Sequence, residues 1–228
     1  MEKIRHQLQQ LARGNNKYAT GNKRIVNTQQ TLIGVRMPDL RGLAKELARG
    51  MTRDEIATLF GLIDKNVYEE VMLVGMMITY AKLSDSERIE LMRPYLELVD
   101  SWAQIDSVAG RGMNSQEWWD FACECLKSRQ EFVVRFGIIV MMDNFLNDRL
   151  DAVFQVIGKV KSDKYYVRMG LAWLHAEAAI KDYAKTIPET KKLEPWTRRK
   201  ALTKMLESYR FTPTQKSEIR ELRDKIAS

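Results

Sequence analysis

The sequence has two cysteines, two histidines and no long apolar run, and each shortage removes a class of protein. Cys123 and Cys125 are separated by one residue. Neighbours that close cannot staple a domain, and two thiols with two scattered histidines do not compose a zinc site. Both are expected as reduced thiols in a cytoplasmic protein. No stretch approaches the roughly 18 apolar residues of a membrane span, and Met1-Glu2-Lys3-Ile4-Arg5-His6-Gln7 lacks the apolar segment of a signal peptide. Strand patterns are missing too: no segment shows short alternating runs between turn signals. The β-branched clusters Val133-Val134 and Ile138-Ile139-Val140 sit in an apolar run too long for one strand. Nothing points to a metal or organic cofactor.

What is present is ordinary apolar material with uneven charge. Of 228 residues, 45% are hydrophobic and 29% charged, enough for a sizeable core in one soluble domain spanning residues 1–228. Residues 1–50 carry 10 Lys+Arg against 3 Asp+Glu, net +7; residues 51–150 carry 10 against 17, net −7; residues 151–228 carry 17 against 10, net +7. Basic ends around an acidic middle suit a polyanion gripped by the ends, nucleic acid included. A basic chain that binds no nucleic acid is the other reading of the same numbers.

Apolar spacing predicts helices over 1–14, 38–49, 52–63, 66–82, 84–97, 101–110, 115–127, 130–146, 149–161, 164–184, 195–207 and 213–226. Thr52 with Glu55 and Ser84 with Glu87 have capping-box spacing. Gly34 permits a tight turn, and Pro38 suits the first turn of a helix. Tyr18 and Ile25-Val26 fall in a basic, irregular segment, and Pro188 breaks the pattern after 184. From residue 52 the helices fall into pairs: 52–63 with 66–82, 84–97 with 101–110, 115–127 with 130–146, 149–161 with 164–184, and 195–207 with 213–226. The second helix of each middle pair tends to be the more apolar, as expected of an inner layer. The expected fold is all-α: a right-handed superhelical solenoid of antiparallel helix pairs with a concave groove. A compact helical bundle is the alternative.

Chemistry concentrates at Ser101-Trp102-Ala103-Gln104-Ile105-Asp106-Ser107. On a helix Trp102 and Asp106 lie one turn apart on one face. A π surface beside a carboxylate suits a cation; a core indole beside a solvated acid is the plainer reading. Arg135 interrupts an apolar run, where burial is costly unless it meets an anion, reaches water or pairs with an acid such as Asp106 or Glu70. Trp173 is flanked by small residues that would admit a ligand, and it serves equally as core.

Four strings then come into play: Gly34-Val35-Arg36-Met37-Pro38-Asp39-Leu40-Arg41, Trp102-x3-Asp106, Val134-Arg135-Phe136-Gly137, and Tyr165-Tyr166-Val167-Arg168-Met169-Gly170-Leu171-Ala172-Trp173. With the closing Lys204-Met205-Leu206-Glu207-Ser208-Tyr209-Arg210, they resemble the AlkD-like DNA alkylation repair glycosylases over about residues 30–210. Each string is weak alone, and their order and spacing carry the likeness. The resemblance implies HEAT-like repeats with a basic groove for duplex DNA. It also implies excision of cationic alkylated purines such as 3-methyladenine and 7-methylguanine in duplex DNA without a base-flipping pocket, as a step of base-excision repair; a monomer is expected. It puts the catalytic acid at Asp106, aromatic contacts to the lesion deoxyribose at Trp102 and Trp173, and a DNA-contacting arginine at Arg135. Tyr18 is a candidate for the family's N-terminal aromatic. Phosphate-contact candidates are Arg36, Arg41, Lys45, Arg168, Arg198, Arg199, Lys200, Lys204 and Arg210. The competing readings are a noncatalytic repeat that binds DNA and a protein-binding scaffold.

Overall fold

Short polar residues start many of the helices, and apolar faces pack them. The computed structural model describes residues 1–110 and 112–226, which divide into two compact units, Met1–Ala109 and Gly110–Ser228. The described residues are all-α. They hold fourteen helices and, as the only β feature, a parallel bridge between Thr31 and Val67. None of these helices is long and apolar enough to cross a membrane.

The first unit contains α1 (Glu2–Leu11), α2 (Asn16–Val26), α3 (Met37–Leu47), α4 (Arg53–Leu62), α5 (Tyr68–Tyr80), α6 (Asp85–Leu96) and α7 (Trp102–Val108). Both expected capping boxes form, at Thr52 with Glu55 and at Ser84 with Glu87. Pro38 lies in the first turn of α3, and Gly34 takes φ +98°. Helix α5 is the hub. Eleven of its thirteen residues are buried, because α3, α4, α6 and α7 all pack against it. Glu69 on that hub is buried, and its carboxylate accepts the backbone N–H groups of Ile33 (3.0 Å), Gly34 (2.7 Å) and Val35 (3.2 Å). Three such donors explain how a carboxylate tolerates the interior, and they fix the turn that leads into α3.

The second unit contains α8 (Gln116–Cys125), α9 (Glu131–Asn144), α10 (Leu150–Ile157), α11 (Tyr165–Lys181), α12 (Tyr183–Lys191), α13 (Pro195–Glu207) and α14 (Pro213–Asp224). Helix α11 packs against both α9 and α13, making one layer; α8 lies on α9, α12 on α11 and α13, and α14 on α13. Within this unit α9 and α11, the second helices of their pairs, are more deeply buried than α8 and α10. Neither Cys123 nor Cys125 is in a disulfide among the described residues.

Two helices lie where the sequence predicts none. Helix α2 occupies the segment taken as irregular. It has a glycine and only Val26 buried, so it shows no apolar stripe to read. It ends at Asn27, whose left-handed φ of 53° is a helix stop that asparagine tolerates. Helix α12 runs through Pro188. Its buried residues are Thr186 and Thr190, which hide the periodicity. Helix α13 packs on α14 as expected, with Ile219 of α14 and Phe211 just before it in one apolar cluster with Leu202 and Met205, and α13 also packs against α11 and so joins the inner layer.

Candidate nucleic-acid interface and carboxylate site

Helix α7 is seven residues long, too short to hold itself. Its neighbours fix it. Ser101 caps it, accepting from the Ala103 N–H, and the same hydroxyl donates to the Val26 carbonyl at 2.7 Å. The Trp102 indole N–H donates to the Ile25 carbonyl at 3.0 Å. The C-terminal carbonyls of α2 thus anchor the start of α7, so the helix missed in the sequence supports the indole of interest. Asp100 accepts from the Thr28 hydroxyl and the Gln29 N–H.

Under the helix lies a buried amide pair. The Gln104 amide donates to Gln30 Oε1 at 2.7 Å and accepts the Asp100 N–H at 3.1 Å. The Gln30 amide donates to the carbonyls of Lys65 (3.1 Å) and Leu98 (3.2 Å). Trp102 and Asp106 come out half-exposed on this fixed helix, while Gln104 and Ile105 between them are buried. Neither core nor plain solvent describes the pair: an indole and a carboxylate one turn apart remain reachable from water.

Arg36, the N-cap residue of α3, and Arg41 and Lys45 on the helix are exposed. The Arg36 guanidinium stands 5.8 Å from the Tyr18 ring, and Lys45 Nζ 5.2 Å from the Tyr80 ring. Tyr18 therefore sits on a regular helix beside one of the candidate phosphate contacts. Glu70 is bound by Arg5 at 2.8 Å.

In the second unit Arg135 is 5% exposed, and its Nη1 donates to the Tyr166 carbonyl at 2.9 Å. That bond ties α9 to the first turn of α11 and leaves the guanidinium inside rather than on the surface. Trp173 is half-buried, with Lys204 Nζ 5.8 Å from its ring. Of the remaining basic candidates, Arg210 pairs with Glu177 at 3.0 Å and Arg168 with Glu194 at 2.6 Å, and Arg198 donates to the Lys191 carbonyl. Arg199 and Lys200 are exposed, and Lys200 Nζ lies 5.4 Å from the Trp196 ring. Burial raises the Glu194 carboxyl, but bonds from the Thr197 hydroxyl, Arg168 and two backbone N–H groups outweigh it and hold the group at about 2. Arg168 is therefore held by the residue that caps α13.

The sequence reading missed the groups that orient the site, Gln30 and Gln104. A glutamine two residues after Trp102 gives no sign of burial until its partner 74 residues away is known. It also missed the aromatic surface at Phe132, Tyr165, Tyr166 and Trp196. The neighbouring pair Tyr165-Tyr166 among lysines and arginines was the available signal.

The fold and these side chains define a helical-repeat protein with a carboxylate–indole pair in one unit and cation–aromatic contacts in both. The model of the DNA alkylation repair enzyme family matches residues 4–205, and the chain belongs to that family. No curated protein matches the chain. Membership makes this a DNA repair protein whose substrate is DNA.

Proposed function

We propose that the protein is a DNA glycosylase. It hydrolyses the N-glycosidic bond of cationic alkylated purines, of the 3-methyladenine and 7-methylguanine type, in duplex DNA. It acts in the cytoplasm as a monomer and without drawing the base into a pocket. The observation that carries this reading is the Trp102–Asp106 pair: half-exposed, one turn apart, on a helix whose orientation is set by buried amides. An N-alkylated purine is already cationic and leaves as a neutral base with the bonding electrons, so no general acid is required. The deoxyribose becomes oxocarbenium-like, and a carboxylate stabilises that charge. Asp106 would also orient the water that attacks C1′, with the water's proton lost to solvent. The indole face at Trp102 favours the same positive charge, and Trp173 is the second indole to which the family resemblance gives that role. Arg36, Arg41, Lys45, Arg199, Lys200 and Lys204 would supply salt-sensitive affinity for phosphates.

The test is release of methylated purine from alkylated duplex. Asp106→Asn should slow release about 100- to 1,000-fold while duplex affinity stays near wild type. Wild-type release no faster than that of Asp106→Asn would overturn the assignment. A noncatalytic DNA-binding repeat is the alternative, and it predicts salt-sensitive binding with no base release.

A further inference from the structure

We propose that the end of the second unit where α9, α11 and α13 begin binds single-stranded nucleic acid, with bases stacked on an aromatic row and phosphates held by the lysines beside it. This goes beyond base excision and does not rest on it. The row runs across three helices. Phe132 on α9 lies 5.4 Å from Tyr166 on α11, Tyr166 is 5.1 Å from Tyr165, and Tyr165 is 5.7 Å from Trp196 on α13. The far end is cationic: the Arg168 guanidinium sits 4.1 Å from the Trp196 ring centre, and Lys200 Nζ is 5.4 Å away.

Burial does not account for this row. Tyr165 is 54% exposed, and Phe132, Tyr166 and Trp196 are each partly open. Aromatic rings in a packed layer normally go inside. The backbone beneath is well fixed, since Glu131 accepts the Tyr166 N–H at 2.6 Å and Arg135 donates to the Tyr166 carbonyl. The rings therefore stand on a rigid platform.

Next to the row is a cavity of about 640 Å³ that shares Glu131 and Lys164, the residues immediately before Phe132 and Tyr165. Lys127, Arg129, Lys159, Lys161 and Lys164 line it, against the two acids Glu131 and Asp163. Among the described residues none of these five cations is in a salt bridge. Charge complementarity therefore selects an anionic chain, and the rings select one with uncovered base faces. Duplex DNA meets the first requirement only, because its base faces are stacked on one another. Rings interleaved with cations, sequence-tolerant and about 4 nucleotides long, match the lower end of single-strand modules.

The test uses the full chain, fluorescence anisotropy, an oligothymidylate of about 12 nucleotides, the matching oligouridylate, and an undamaged duplex of the same length. Both single strands should bind. Tyr165→Ala should weaken that binding roughly 5- to 100-fold, Tyr165→Phe should restore it, and duplex affinity should not change. The double variant Lys159→Ala/Lys161→Ala should lower the slope of log affinity against log salt by about 1.4. The proposal is overturned if the wild type fails to bind either single strand, or if Tyr165→Ala binds as the wild type does. It is equally overturned if Tyr165→Phe weakens as much as alanine, or if Tyr165→Ala weakens duplex binding equally. Tyr165 is exposed, so its variants should keep wild-type helical circular dichroism.

Discussion

Gln104→Leu removes the centre of the amide network under α7 without changing the volume of the side chain much. Gln30 Oε1, buried, loses its donor at 2.7 Å, and the Asp100 N–H loses its acceptor at 3.1 Å. An orphaned buried polar group costs about 1–3 kcal/mol. Asp100 is partly exposed and can turn to water, so its share falls at the low end. The expected destabilisation is about 2–4 kcal/mol, read as a lower urea midpoint at unchanged slope. Gln30→Leu alone should cost at least as much, because the Lys65 and Leu98 carbonyls lose their donor too. Combined with Gln104→Leu it should fall short of additivity by more than about 0.5 kcal/mol, since both variants remove one shared bond. Excision should suffer beyond stability. Trp102 and Asp106 flank Gln104 on a two-turn helix, and a displacement of about 1 Å at reacting groups can cost on the order of 100-fold. Single-turnover release, measured where the variant is still folded, reads this directly. A loss below about 0.5 kcal/mol with release unchanged would refute the claim that the amide pair holds the helix.

Gly137→Ala tests the contact of α8 with α9. A Cβ there would lie 2.8 Å from the Ala122 carbonyl, a backbone atom that can move only with its helix. Alanine's better helix propensity offers up to about 1 kcal/mol, and overpacking of this kind costs about 1–3 kcal/mol, so thermal unfolding should show a net loss. His175 tests pH dependence. Burial lowers its imidazole to about 4, and its Nδ1 is 3.0 Å from the Thr190 hydroxyl. The unfolded chain takes up the proton near pH 6.5 and the folded one only near 4, so stability falls as pH drops through that window and levels off below it. The wild type should lose about 3 kcal/mol more between pH 7 and pH 4 than His175→Gln does. Equal losses in the two would show that the imidazole stays solvated.

Much of the architecture was legible because local signals and burial agreed. Thr52, Ser84 and Ser115 stand where the chain leaves extended backbone and enters a helix. The apolar excess of 66–82 and 130–146 marked helices enclosed by others, as α5 and α9 are. What escaped notice was held together by polar groups. Helix α12 faces inward with threonines, and Thr190 is bonded to a buried histidine from α11. A hydrophobic stripe cannot report a helix whose buried side is hydroxyls. Pro188 misled for a related reason: a proline costs a helix one backbone bond, a loss that a short helix packed against two others absorbs. At the site, Trp102 and Asp106 could be read from their spacing, since i and i+4 are a property of the helix alone. Gln30, Gln104 and the α2 carbonyls could not, because their role exists only between segments some 75 residues apart.

Summed over the two units, the charge divides differently from the three stretches of the sequence. Residues 1–109 hold 15 Lys+Arg and 14 Asp+Glu, net +1, whereas residues 110–228 hold 22 and 16, net +6. The basic residues 1–50, net +7, and the acidic residues 51–109, net −6, fall in one unit and nearly cancel there. This bears on the proposed role of Asp106 in stabilising a developing cation. Set in a strongly positive field, Asp106 would be partly neutralised and would attract the sugar cation less. Set in a strongly negative one, it would repel the phosphates that must come close to it. A nearly neutral unit avoids both losses, and long-range attraction for the polyanion then falls mainly to the second unit, where exposed lysines and arginines outnumber the acids.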